Sequence, residues 1–176
     1  EAQAETRQML DVYLDFARNE AAVPAFVGRK SDSERFPGAD LTYSLEAMMG
    51  DKKALQAATS HNLGQNFARA FDIQYLDHNN EMQYCWTTSW GLSTRFIGAM
   101  IMIHGDDQGL ILPPRLAPHQ VVMVPIHKNE TEKAAVMEAV ERIRDMLVGA
   151  DVRVKVDDRE GLTPGFKFND WELRGV

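Results

Sequence analysis

"TTSWGLSTRFIGAMIMIHGDDQGLILPPRLAP", residues Thr87 to Pro118, changes character three times within one span. β-forming residues run to Trp90, Gly91 breaks them, and Ser93, Thr94 and Arg95 lead into the apolar run Phe96 to Ile103. That order predicts a strand, then a helix that Ser93 or Thr94 can cap, ending at His104 and Gly105. A helix apolar on every side is expected to be buried. Arg95 at its start therefore needs a partner, because an unpaired buried charge is costly. Free N–H groups and the positive end of the helix dipole favour an anion at that position. The planar guanidinium fork suits phosphate oxygens, and Gly91 allows a ligand to approach the backbone closely. An internal carboxylate is the alternative partner for Arg95.

Upstream, residues 1–20 carry Met9, Leu10, Val12, Tyr13, Leu14 and Phe16 at helical spacing, without Gly or Pro, which predicts an amphipathic helix. "GRKSDSERFPGAD", Gly28 to Asp40, reads as a surface loop, and a short helix is expected near Leu45 to Met49. "KALQAATSHN" reads as a strand that leads to a turn, followed by a helix carrying Leu63, Phe67 and Phe71. Alternation on both sides of Asp77-His78-Asn79-Asn80 predicts a hairpin whose second strand lasts to Trp90. Gln56, Thr59, Ser60 and His61 gather donors and acceptors at one strand end, although His61 taken singly reads more readily as a hydrogen-bonded structural histidine.

Downstream, Pro113, Pro114 and Pro118 make a semi-rigid connector, and a domain boundary is placed near residue 118. "QVVMVPI" then reads as a strand. The next helix opens on Asn129 and Glu132 in capping-box spacing and stops at Gly149. "VRVKVDD" is a second strand, and a last helix starts after Pro164. This alternation implies a parallel β-α-β unit. Two strands do not complete such a sheet, so the chain is expected to be a piece of a longer protein.

Composition excludes several classes. The 176 residues have an apolar share of 44% and a net charge of -7. Such a chain can bury a core, and it does not coat nucleic acid through a general basic field. No signal peptide or membrane span is expected. The single Cys85 forms no internal disulfide and offers no zinc spacing. His104 to Asp107 mixes metal-ligand types, but a helix end followed by a solvated turn explains it better. From the residues alone, the reading is an anion-binding α+β protein.

Longer motifs sharpen it. "ALQAATSHNLGQNFARAFDIQY", the Thr87–Pro118 span, "DDREGLTPGFKFNDWELRGV" and the loop "GRKSDSERFPGA" resemble the prolyl-tRNA synthetases, in the form shared by archaea, eukaryotes and some bacteria. The resemblance runs in order over essentially the whole chain. It implies an α+β fold: the C-terminal part of a class II antiparallel-sheet catalytic domain at 1–117, then the N-terminal part of an α/β anticodon-binding domain at 118–176. "GLSTR" is similar to the third class II signature motif, which implies that Arg95 is catalytic through the ATP phosphates. Gln56, Thr59 and Ser93 would line the ATP and adenylate site with Arg95, while His61, Trp90 and Gly91 would shape the proline pocket. Arg159, Lys167 and Glu172 would read anticodon guanines.

The implied function is ATP-dependent activation of proline and its transfer to tRNA(Pro), with ATP-bound Mg2+, in a cytoplasmic homodimer. No metal site of the protein's own is expected. The first two signature motifs are expected upstream of Glu1, so this piece alone is expected to be inactive. A non-catalytic paralogue or fragment that binds tRNA or a partner protein is the alternative. The chain departs from the family's usual pattern at Ala58, where a Gly is common, and across "ADLTYSLEAMM".

Overall fold

The computed structural model describes residues Glu1–Val176, which form two compact units, Glu1–Ile103 and His104–Val176. In the first unit, helix α1 (Ala2–Asp15) runs on into a π-helical turn, Phe16–Glu20. Strands β1 (Ala25–Arg29), β2 (Leu41–Met48), β3 (Ala54–Gly64) and β6 (Thr87–Leu92) make one antiparallel sheet in the order β1-β2-β3-β6. Helix α1 crosses one face of it, burying Thr6 and Leu10. The junction is polar as well as apolar. The Ser60 hydroxyl donates to the Thr6 carbonyl at 2.7 Å, and Asn62 donates to Gln3 at 3.0 Å.

Of the expected helix at Leu45–Met49, residues Leu45–Met48 lie instead in β2. "LEAMM" favours a helix locally, but β1 and β3 flank this segment and take up its backbone hydrogen bonds on both sides. Pairing across a sheet outweighs local propensity of less than about 1 kcal/mol per residue. β1 also claims Gly28 and Arg29 from the expected loop. The strand read in "KALQAATSHN" runs on to Gly64. There φ is +56° and a side chain would strike the Asp40 carboxylate, so the turn needs glycine.

Helix α2 (Asn66–Ala70) follows, then the hairpin β4 (Gln74–Leu76) and β5 (Met82–Tyr84). Asp77 organises its turn by accepting from the N–H groups of Asn79 and Glu81 at 2.8 and 2.9 Å. The expected continuous second strand is split at Cys85-Trp86, and its later half is β6 of the main sheet.

Helix α3 (Arg95–His104) begins where expected, but it is not buried all round. Phe96, Ala99 and Met100 are buried, with Phe96 against Phe16 at 5.5 Å between ring centroids, whereas Ile97, Ile101 and Met102 are exposed. One side alone meets the rest of the unit.

In the second unit, β7 (Gly105–Asp106) and β8 (Gly109–Leu110) form a tight hairpin, with Asp106 accepting from Gln108 and Gly109 N–H groups. Strand β9 (Val121–Met123), helix α4 (Glu130–Gly149) and strand β10 (Val154–Val156) build the parallel β-α-β unit, and α5 (Pro164–Leu173) follows. Asn129 caps α4 by accepting from Glu132 N–H at 2.9 Å, as its spacing predicts. The helix ends in a Schellman motif: Val152 N–H donates to Leu147 O and Asp151 N–H to Val148 O. Asp151, with φ of 59°, fills the left-handed position instead of Gly149. No helix is long and apolar enough to cross a membrane.

Candidate functional site

Strand β3 carries one polar face and one packed face, and a bulge sets which residue lies on which. Leu45 pairs with Ala58 and Glu46 with Gln56, leaving Ala57 as the extra residue. Ala57 and Ala58 are both buried. Past the bulge Gln56 turns to the side opposite α1, where it joins Thr59 and His61. Ser44, Thr42 and Glu46 of β2 share that side, as do Gly91 and Ser89 of β6, which pair with Thr59 and His61. Ala58 points away from it, so the departure from glycine there leaves the polar face unchanged.

The polar face is wired by hydrogen bonds. His61 Nδ1 lies 3.0 Å from Thr42 Oγ1, and its Nε2 lies 3.1 Å from Thr59 Oγ1. Phe36, from the loop before β2, lays its ring 4.9 Å from the imidazole. This burial lowers the His61 pKa and favours the neutral ring. Ser44 donates to Glu46 at 3.1 Å, and Lys30 reaches Glu46 at 3.7 Å.

Arg95 stands at the end of β6, on the first turn of α3. Its partner is a carbonyl, not a carboxylate: Nη1 donates to Gln56 O at 3.2 Å. The Ser93 hydroxyl accepts from Arg95 N–H at 3.3 Å and so acts as the local cap. An exposed guanidinium held at a helix N-terminus is suited to an anion. A Cβ at Gly91 would meet nothing within 4 Å, so the space above the Thr59–Gly91 pair is open.

Of the residues singled out from sequence, Gln56, Thr59, His61, Gly91, Ser93 and Arg95 thus converge on one face and its edge. The Trp90 side chain does not. Trp90 pairs with Ser60, whose hydroxyl bonds to α1, so its ring lies on the other side. Thr42 and Ser89 escaped the sequence reading, because only register places them beside His61.

In the second unit, Arg159 and Lys167 meet at a fully buried carboxylate, Asp157. Arg159 grips it through Nε and Nη2 at 2.8 and 2.7 Å and reaches Asp170 at 2.9 Å. The Trp171 indole donates to Asp157 at 2.8 Å, and Lys167 Nζ donates to the Asp157 carbonyl at 3.0 Å. The Arg159 hydrogen bonds hold the Asp157 carboxyl well below the ordinary carboxylate range; Trp171 helps, and burial opposes. Beside this network lies a cleft of about 400 Å³ lined by Arg159, Lys167, Lys133 and His127. Lys167 is buried, whereas Arg159 is partly exposed. Glu172 is exposed on α5 beside Asn169, at a different cleft, and is not brought to Arg159. Asp157 was also missed; the run "DDR" ahead of a Trp is its only local sign.

Residues 120–176 match the family model described as an anticodon binding domain. The whole chain is 60% identical to the proline--tRNA ligase of Roseiflexus sp. (strain RS-1), and spans 37% of it. It is 57% identical to the chloroplastic/mitochondrial proline--tRNA ligase of Arabidopsis thaliana, again over the whole chain and 32% of that protein. A crystal structure of the Cryptosporidium parvum prolyl-tRNA synthetase, complexed with L-proline and AMP, matches the whole chain with a TM-score of 0.86 at 43% identity, over 38% of its own length. Along its entire length, then, this chain is similar to prolyl-tRNA synthetases, and it spans a little over a third of the Roseiflexus enzyme.

Proposed function

We propose that this chain is the portion of a proline–tRNA ligase that ends the class II catalytic domain and begins the anticodon-binding domain, with the change near Pro118. The observation that carries this reading is the convergence of Arg95, Gln56, Thr59, His61 and Gly91 on one open strand face. Proline carboxylate attacks the α-phosphate of ATP, giving prolyl-adenylate and pyrophosphate, and proline then passes to the terminal ribose of tRNA(Pro). Arg95 is free of any carboxylate and offers its guanidinium to phosphate oxygens, where negative charge grows in the transition state. Ser93 and Gln56 line the nucleotide side, Thr59 lines the adenylate where nucleotide meets proline, and His61 and Gly91 shape the proline end. Trp90 contributes through its backbone, which fixes Ser89 and Gly91 on the site side.

Mg2+ would arrive with the ATP phosphates and neutralise part of their charge. This chain gathers no group of three carboxylate, imidazole or thiol ligands of its own that could hold a metal ion. In the second unit Arg159 and Glu172 are the groups exposed to an anticodon base, and a guanidinium suits guanine acceptors. Lys167 supports Arg159 from within the Asp157 network. The homodimer and the cytoplasm are the expected setting for the complete enzyme.

ATP–pyrophosphate exchange with the full-length enzyme tests the reading. Exchange is expected to depend on proline, and exchange driven by alanine, cysteine or threonine instead would overturn it.

A further inference from the structure

The hydrogen bonds around His61 have a direction, and it begins at Thr42. The Thr42 side chain is 2% exposed, and its Oγ1 accepts from the Phe36 N–H at 3.0 Å. A hydroxyl has one hydrogen. The only other group bonded to this one is His61 Nδ1, at 3.0 Å, so the hydrogen goes there. A protonated Nδ1 would leave Thr42 facing two donors, with its own hydrogen buried and without an acceptor, which folded proteins avoid. His61 therefore accepts at Nδ1 and carries its proton at Nε2. Nε2–H in turn donates to Thr59 Oγ1 at 3.1 Å. With one lone pair of Thr59 occupied in this way, its own hydrogen remains to be given. Its strand neighbour Gly91 has no side chain, and the space there is open.

We infer that Thr42 is a positioning residue: by fixing the His61 tautomer it turns the Thr59 hydroxyl into a donor aimed at the ligand. The ligand atom at Thr59 is then an acceptor oxygen, such as a carboxylate or the acyl oxygen of an adenylate. The inference rests on reading this strand face as the amino-acid end of the proposed site. Thr42 touches no substrate and acts through His61 and Thr59.

The test uses the full-length enzyme with ¹⁵N-labelled histidine, with His61→Gln to identify the signal. At neutral pH, long-range ¹H–¹⁵N correlation is expected to show His61 neutral and protonated at Nε2. In ATP–pyrophosphate exchange, Thr42→Val is expected to raise the proline KM about tenfold, the scale of one hydrogen bond, with the ATP KM unchanged. Thr42→Ser, which keeps the hydroxyl, is expected to restore it. An Nδ1-protonated or charged ring in the wild type overturns the inference without any variant. So does a Thr42→Val enzyme with unchanged proline KM, or with both KM values raised equally. A wild-type enzyme lacking proline-dependent exchange overturns the reading of the site itself, whichever tautomer is found.

Discussion

Arg95 and Gly91 occupy the same corner of the sheet but fail in different ways when changed. Arg95 is exposed and bonded to one backbone carbonyl, so Arg95→Ala removes charge without opening a core. Exchange in the full-length enzyme should fall about 100- to 1,000-fold, the scale of losing one transition-state charge partner, with an unchanged circular dichroism spectrum. Near-normal exchange would mean that Arg95 only ties α3 to β3. At Gly91 a methyl group meets no protein atom. Gly91→Ala should therefore leave the melting temperature within a degree or two, yet cut exchange by at least about tenfold by displacing the ligand. A coupled loss of stability and exchange would argue for a structural glycine. That Arg95 needs a partner was legible because a charge before an apolar helix calls for explanation, and the partner within the chain is the Gln56 carbonyl. Thr42 was not legible, since its partner His61 stands 19 residues away and only strand register unites them.

Among the elements, those with local signals were readable, and those made by pairing were not. α4 announces itself by Asn129 and Glu132, and its cap forms as spelled out. Asn129→Ala should cost about 1 kcal/mol in denaturant unfolding, because one N-terminal N–H loses its acceptor. A change below a few tenths would show that Glu132 and solvent suffice. β2 had no such signal: its second half, from Leu45, reads as a helix until β1 and β3 are placed beside it. The exposed side of α3 was likewise misjudged, since an apolar sequence states what a helix could bury and not what lies next to it. The left-handed Asp151 replaced the expected Gly149 because Asp tolerates that conformation.

On the proposed reading the two units carry two kinds of chemistry, and their perturbations should separate too. Arg159→Ala is expected to weaken tRNA charging while pyrophosphate exchange stays near normal; an equal fall in both would refute an anticodon role. Asp157 ties the stability of its unit to pH. Its folded pKa is depressed, so its contribution is complete above the unfolded value of about 3.9 and disappears as pH falls below that. The melting-temperature gap between wild type and Asp157→Asn should be constant from pH 5 to 8 and shrink below about pH 4. A gap that stays flat into acid would assign the effect to hydrogen bonding alone.

The extra residue Ala57 leaves a mark of another kind, on what lengths this strand can have. Removing Ala57 would let β3 pair with β2 without interruption, and the sheet itself would be more regular. Gln56 would keep its pairing with Glu46 and its place on the side opposite α1, because it would then stand two residues from Thr59 in a regular strand. Sequences descended from this one can thus lose the one residue between Gln56 and Ala58 and keep the polar face, whereas loss of Ser60, where pairing is regular, would set Thr59 and His61 side by side on opposite faces and break the bond between them.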